Sequence, residues 1–165
     1  MGVNRNELVQ WIGKLEALKG DAPDIMAQIA VGEGKYAADQ ARKICKTDLS
    51  EPSRKKVGIV NTGDYRRNWK SDTTAKRSGK KFIVRVYNAL EYASHLEYGF
   101  RSHFVPGEHL AGPIRSKFPD GFYVGEPGSY VRGHFTMKRA VKRTKDTQQA
   151  RVTRKITREI NKRMK

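Results

Sequence analysis

Apolar residues in the first twenty positions recur at the three- and four-residue spacing that places them on one side of an α-helix. The stripe consists of Leu8, Trp11, Ile12, Leu15 and Leu18. Asn4 or Asn6 can cap the start of this helix, and Gly20 is a typical residue at a helix end. The pattern therefore predicts a first amphipathic helix that stops at Gly20.

A second, longer helix is predicted from Asp21 to Leu49. Pro23 falls in its first turn, where proline is tolerated. The apolar positions drift along one side of it: Met26, Ile29, Tyr36, Ala37, Ala41 and Ile44. Gly32 and Gly34 each weaken the middle of this helix by about 1 kcal/mol relative to alanine. We therefore expect a bend or a loosened turn there.

Alternating side chains further along the chain predict a β-hairpin. A turn is expected at residues 62–64, followed by a strand that begins at Tyr65. The sequence FIVRVYN, residues 82–88, supplies the second strand because it is rich in β-branched and aromatic residues. The segment 101–133 is rich in loops and contains one more strand candidate, GFYV at 121–124.

From His134 onward the pattern is helical, and Asp146 or Thr147 can cap a second segment. The apolar positions of that segment lie four residues apart: Val152, Ile156, Ile160 and Met164. A stripe this narrow does not stabilise an isolated helix in water. We therefore expect a single domain over residues 1–145 and a basic helical extension over 146–165 that gains its order on a partner.

The chain has a net charge of +17, and a large part of this charge lies near the C-terminus. Residues 131–165 contain 13 Lys and Arg against 2 Asp and Glu. Such a segment suits nucleic acid, an acidic protein surface or anionic lipid, although a solvated basic helix has the same composition. The residues predicted to face a partner or DNA are Arg151, Arg154, Lys155, Arg158, Lys162 and Arg163.

Size and composition limit the classes of protein to which this chain can belong. The length of 165 residues fits one domain with its own core. Cys45 is the only cysteine, which excludes an intramolecular disulfide and a cysteine-rich zinc site. No apolar run approaches the length of a membrane span. We therefore expect no contact with a membrane.

Candidate chemistry concentrates in NALEYASHLEYGF, residues 88–100. Glu91, His95 and Glu97 lie within seven positions and could form an active site, a metal site or the polar edge of a packing element. None of the four histidines has the HExxH spacing of zinc hydrolases, and no nucleophile elbow occurs. We therefore expect no enzymatic activity, no metal and no cofactor.

The packing interpretation of this block is favoured. Tyr92 and Tyr98 would provide apolar surface on a short helix or tight turn. Gly99 can adopt a positive φ and close that turn. Glu91 and His95, one helical turn apart, would form an ordinary surface pair.

Two motifs together resemble a family of small proteins of tailed bacteriophages. The first motif comprises Thr62, Gly63, Tyr65, Arg66, Asn68 and Trp69. The second comprises Val86, Asn88, Tyr92, Ala93, Glu97, Tyr98 and Gly99. The resemblance extends over roughly residues 20–145, and it is to the minor tail components, or tail completion proteins, of long-tailed phages. The basic segment after residue 145 lies outside it.

The resemblance implies an α+β fold, in which N-terminal helices and a C-terminal helix pack on a small antiparallel β-sheet. It also implies a structural protein of the virion that joins head to tail at the neck, as a homo-oligomeric ring around the DNA channel. The implied partners are the tail terminator, the connector or stopper, the tail tube and DNA in the channel. Assembly would take place in the host cytoplasm.

Two other interpretations remain open at this stage. The first is a basic nucleic-acid-binding module of non-phage origin, in which Tyr65, Arg66 and Trp69 are exposed on the hairpin. The second is a metal-dependent nuclease, although the acidic residues lack the spacing of a metal cluster.

Overall fold

The structure is a computed structural model that describes residues 5–48 and 63–165. Thr62, the first residue of the resemblance motif, lies outside the described residues. Within them the chain forms two long helices, three short helices and eight short strands. The fold is therefore α+β, as the resemblance implied.

The two N-terminal helices predicted from the sequence are a single helix, α1 (Arg5–Asp48), of 44 residues. Pro23 lies inside it, and Gly20 does not end it. A glycine costs about 1 kcal/mol and an interior proline about 3 kcal/mol in an isolated helix. Packing against another helix offsets these costs, since Ile25 lies in a groove shared with Ile156 of the C-terminal helix.

The predicted hairpin is present, but it starts later than expected. Residues Asp64–Arg67 form a one-turn helix, α2, where the sequence predicted a strand from Tyr65. Gly63, at φ 74°, begins this turn, and its carbonyl accepts a hydrogen bond from the Arg67 N–H at 3.0 Å. The strands that follow are β1 (Trp69–Ser71), β2 (Lys76–Ser78), β3 (Lys81–Ile83) and β4 (Val86–Asn88).

These four strands form two pairs, an inner one next to the turn and an outer one. Strand β1 pairs with β4, and β2 pairs with β3 in an antiparallel arrangement that sets Arg77 opposite Phe82. Gly79 sits in the turn at φ 58°.

A helix and an antiparallel ribbon follow the hairpin. The elements are α3 (Ala93–Tyr98), β5 (Gly99–Arg101), β6 (His103–Pro106), a 3₁₀ turn (Gly107–His109), α4 (Gly112–Lys117), β7 (Gly121–Val124) and β8 (Tyr130–Arg132). Strand β5 pairs with β8, and β6 pairs with β7. The short helix closed by Gly99 and the strand at 121–124 are both confirmed.

The C-terminal helix, α5 (Thr136–Met164), is continuous for 29 residues. Neither Asp146 nor Thr147 interrupts it. The predicted boundary between residues 145 and 146 falls inside this helix, and the division into a domain and an extension stays a prediction. No helix in the described part of the chain is both long enough and apolar enough to cross a membrane.

The chain folds into two compact units. The first contains the described residues up to Gln40, Lys70–Tyr87 and Val141–Lys165, and its buried apolar residues include Ile25, Ile29, Ala37 and Ala38. The second contains the described residues of Ala41–Trp69 and Asn88–Ala140. Its buried apolar residues are Ala41, Ile44, Cys45, Tyr65, Trp69 and Ala140.

Candidate functional site

Glu97 is the buried carboxylate at the centre of the motif residues in the second unit. Its side chain accepts hydrogen bonds from the Met137 N–H at 3.0 and 2.9 Å and from the Lys138 N–H at 3.3 Å. Both donors belong to the first turn of α5, where backbone N–H groups lack partners inside the helix. The negative charge is also favoured by the helix dipole at this end. Glu97 therefore caps α5 from a distant part of the sequence.

Tyr65 completes this buried arrangement. Its hydroxyl donates to Glu97 Oε2 at 3.4 Å, and its ring contacts Trp69 edge to face at 5.5 Å. Burial raises the pKa of Tyr65 well above its ordinary value, and the charge of Glu97 raises it further, while a hydrogen bond with Thr136 acts in the opposite direction. The phenol therefore remains a neutral hydrogen-bond donor over the physiological pH range.

Asn88 and Arg42 tie the neighbouring backbone to the same core. Asn88 Nδ2 donates to the Tyr65 carbonyl at 2.7 Å, and Asn88 Oδ1 accepts from the Leu90 N–H at 3.2 Å. Arg42 Nη2 donates to the Trp69 carbonyl at 2.5 Å. These contacts connect α1, α2 and the end of β4.

Gly99 lies where two backbone segments cross. Its φ is 88°, and a Cβ built on it would stand 2.6 Å from Tyr130 Oη and 2.7 Å from the Gly133 nitrogen. The Tyr130 hydroxyl donates to the Tyr98 carbonyl at 2.5 Å beside this crossing. Only glycine satisfies both the backbone conformation and the close approach.

The structure thus brings four resemblance residues together: Tyr65, Trp69 and Glu97, which are buried, and Asn88, which is half-buried. Ala93 begins α3 and is half-buried, as is Arg66. Tyr92 and Tyr98 were expected to pack, and this is wrong: they are 42% and 66% exposed. The short α3 turns its Glu97 side inward, which leaves both phenol rings on the outer surface.

The interpretation as a nucleic-acid-binding module required exposed aromatic residues on the hairpin, and this prediction is also wrong. Tyr65 is 4% exposed and Trp69 is 3% exposed. The α2 turn replaces the predicted strand alternation, so both rings point into the core of the second unit. They offer no stacking platform for bases.

Glu91 and His95, which prompted the question of catalysis, are both exposed. The His95 ring packs edge to face on Phe100 at 5.6 Å. Within residues 5–48 and 63–165, no group of three or more His, Cys, Asp or Glu side chains lies close enough to hold a metal ion.

A second polar cluster, which no pattern in the sequence indicated, is centred on Glu33 in the first unit. Arg151 Nη2 contacts Glu33 Oε2 at 2.5 Å, and Lys155 Nζ contacts Glu33 Oε1 at 3.2 Å. The Arg151 guanidinium also lies 3.6 Å above the ring of Tyr36, a cation–π geometry. Two of the six basic residues predicted to face a partner therefore bind the chain's own α1.

The two cations of this cluster stabilise the ionised form of Glu33. Burial alone would raise the pKa of Glu33, but hydrogen bonds from Arg151 and Lys155 outweigh burial and lower the pKa below its ordinary range. The same pairing raises the pKa of Arg151. Glu33 and Arg151 are therefore both charged at neutral pH.

Further along α5, Arg163 behaves in the same way. Its Nε contacts Asp21 Oδ2 of α1 at 3.2 Å, and its Nη1 contacts Glu159. Apolar residues of the two helices share one groove: Leu15, Leu18, Ala22, Ile25, Met26, Ile156 and Ile160. The expectation that the segment needs a partner for its order is therefore wrong, because α1 of the same chain supplies both apolar surface and counter-charges.

Exposed apolar residues mark two further surfaces. On α1, four of the five residues of the first predicted stripe are uncovered: Leu8, Trp11, Ile12 and Leu15 are each more than a third exposed. On the ribbon, Phe104 and Tyr123 are exposed and lie opposite each other on β6 and β7, with ring centroids 5.3 Å apart.

The described residues thus form an α+β protein with long helices at both ends, a polar set behind its motifs and exposed apolar surface on α1 and on the ribbon. Residues 10–99 match the family model HK97-gp10_like, described as "Bacteriophage HK97-gp10, putative tail-component". The match spans more than half of the chain, and the chain therefore belongs to this family of phage tail components. Neither the curated proteins nor the solved structures give a significant match.

Proposed function

We propose that this chain is a tail completion protein that joins head and tail at the neck of the virion. It would act as a homo-oligomeric ring around the DNA channel, in contact with the tail terminator, the connector or stopper and the tail tube. Membership of the phage tail-component family supports the setting. The uncovered apolar stripe of α1 is the single observation that carries the assembly role.

The stripe argues for a protein partner because it is contiguous. Leu8, Trp11, Ile12 and Leu15 recur at helical spacing and keep between 37% and 52% of their surface exposed. Single exposed apolar residues are normal on protein surfaces, but a contiguous stripe with a central tryptophan is typical of a protein interface. Copies of the chain, or a neighbouring neck protein, would cover it in the assembled particle.

The aromatic pair of the ribbon supports the same role independently. Phe104 and Tyr123 form a cross-strand pair that faces solvent. Such rigid rings bury large apolar area at low conformational cost when a partner covers them.

The proposed role is structural and involves no catalysis. Glu97, the buried acid of the candidate block, is occupied by the backbone donors of α5 and by the Tyr65 hydroxyl. A carboxylate engaged in this way acts as a helix cap.

Complementation of a phage genome that lacks this gene tests the proposal. Leu8→Asp places a charge on the stripe, whereas Val9→Asp makes the same kind of change at the next residue, which is 62% exposed and off the stripe. We expect wild type and Val9→Asp to restore infectious particles. With Leu8→Asp, electron microscopy should show separate heads and tails.

Two results would contradict the proposal. The first is a normal yield of infectious particles from the genome without the gene. The second is equal activity of Leu8→Asp and Val9→Asp, since the stripe would then have no role in assembly.

A further inference from the structure

The basic residues of α5 fall into two classes with different surroundings. Arg151, Lys155 and Arg163 bind carboxylates of their own chain. Arg154, Arg158 and Lys162 are exposed, as is Lys165 just beyond the helix. These four have no ion pair with any carboxylate in the part of the chain that the structure describes. Glu159 stands next to Arg158 in sequence, but its carboxylate contacts Arg163.

The four unpaired cations share one shallow surface depression along the helix. The described residues that line it are Arg154, Thr157, Arg158, Asn161, Lys162 and Lys165. We name this set the α5 cationic groove. Four of its members carry a positive charge, and the two neutral ones, Thr157 and Asn161, can donate hydrogen bonds through a hydroxyl and an amide.

We infer that the α5 cationic groove binds the phosphate backbone of double-stranded DNA without reading its sequence. Lysine, arginine, threonine and asparagine are side-chain types that contact phosphates, and such contacts carry no base information. The two arginines can bind phosphate oxygens with two donors each. None of the six side chains is a carboxylate.

The composition of the groove favours DNA over an acidic protein. A protein interface has a buried apolar centre surrounded by polar residues. None of the six residues of the groove is apolar, whereas electrostatic contact with DNA requires no apolar surface.

The spacing fits a dense polyanion. Arg154, Arg158 and Lys162 follow one another at four-residue steps, so they extend over about 12 Å of helix axis. Duplex DNA carries one charge per roughly 1.7 Å of its own axis, which places about seven phosphates along that distance. Each cation can therefore meet a phosphate without bending the helix.

Internal ion pairs give the groove a rigid support. Glu33 and Asp21 of α1 hold α5 through Arg151, Lys155 and Arg163. The exposed cations are thus presented from a helix that is already ordered. The inference goes beyond the proposed neck role and does not depend on it, because DNA binding by the purified chain is measured without particles.

Fluorescence anisotropy with a labelled DNA duplex tests the inference. The groove variant carries Arg154→Gln, Arg158→Gln, Lys162→Gln and Lys165→Gln. The matched control neutralises two exposed arginines and two exposed lysines elsewhere, by Arg115→Gln, Lys117→Gln, Lys142→Gln and Arg143→Gln. Both variants have the same net charge, and circular dichroism checks that both keep the wild-type helix content.

Four phosphate contacts contribute about 3 to 4 to the slope of log K against log salt concentration. Between about 50 and 200 mM salt this corresponds to a roughly 100-fold loss of affinity. We expect the groove variant to lose this part of the salt dependence and the control to retain it. Two unrelated duplex sequences should bind wild type equally.

Three results would overturn the inference. The first is the absence of binding between wild type and duplex DNA at the lowest salt concentration. The second is an equal loss of affinity in the groove variant and the control, which would make the binding a property of net charge alone. The third is displacement of the labelled duplex by polyglutamate as effective as that by unlabelled DNA, which would identify the groove as a site for acidic protein.

Discussion

The Glu97 carboxylate receives the Met137 N–H through both of its oxygens, at 3.0 and 2.9 Å, although 40 residues separate the two in the chain. The contact joins the short helix of the second motif to the first turn of the long C-terminal helix. The Lys138 N–H, at 3.3 Å, and the Tyr65 hydroxyl, at 3.4 Å, use the remaining capacity of the same carboxylate. Glu97 is therefore the residue through which the motifs stabilise α5.

We expect Glu97→Ala to lower the free energy of unfolding by about 2–3 kcal/mol, because it leaves buried donors without an acceptor. Glu97→Gln retains one oxygen acceptor but loses the charge that favours a helix N-terminus, and it should cost about 1 kcal/mol. The exposed Glu91 provides the control, and Glu91→Gln should change stability by less than about 0.5 kcal/mol. Urea unfolding measures all three. Equal stability of Glu97→Ala and wild type would refute the capping role.

A comparison of Gly99 with Gly79 separates the cost of backbone strain from the cost of steric crowding. Both have a positive φ, 88° and 58°, but a Cβ on Gly79 would meet nothing within 4 Å. We expect Gly79→Ala to cost about 1 kcal/mol, from backbone strain alone. Gly99→Ala should cost at least about 2–3 kcal/mol, because the added methyl group also displaces Tyr130 or the Gly133 backbone. Thermal unfolding that gave equal losses for the two variants would show that the crossing at Gly99 adapts freely.

The Glu33 cluster makes stability depend on pH. Because the pKa of Glu33 is lowered in the folded chain, its contribution is fully present above its ordinary value of 4.5 and is lost as the pH falls through the lowered pKa. We expect Glu33→Gln to cost about 2 kcal/mol at neutral pH, less than the roughly 3–5 kcal/mol for breaking a fully buried pair. The difference from wild type should shrink in acid.

Denaturant unfolding at a series of pH values measures this difference. Glu16→Gln, at an exposed position of the same helix, is the control and should change stability by less than about 0.5 kcal/mol at every pH. A Glu33→Gln loss that stays constant from neutral to strongly acidic pH would show that the carboxylate's charge is not what matters.

The two tryptophans report on different parts of the molecule. Trp69 is 3% exposed and Trp11 is 52% exposed. With Trp11→Phe, the remaining Trp69 should emit at short wavelength and resist quenching by acrylamide. With Trp69→Phe, the remaining Trp11 should be quenched readily in the free chain and become protected in purified particles. Ready quenching of Trp69 would contradict the fold of the second unit.

Several features of the protein follow from the sequence alone. Helical spacing identified the helical segments at both ends of the chain, although it divided α1 into two helices at Gly20, and β-branched residues indicated the hairpin. These patterns depend on neighbours within a few positions. The turn at Gly99 was predictable for the same reason, since only glycine readily adopts its φ. The two motifs also identified the phage family, which the match over residues 10–99 confirms.

The remaining features of the fold and of the site were decided by contacts between residues that are far apart in the sequence. Gly20 and Pro23 are local signals for a helix end, yet packing of α5 on the same stretch outweighs them. Tyr65 is buried because a turn at Gly63 replaces the strand alternation that would have exposed it. Glu33 lies 118 residues before Arg151, and no spacing rule connects them. Only the tertiary structure could therefore show which cations of α5 are already paired and which remain for a partner, because pairing depends on the surfaces that meet when the chain folds.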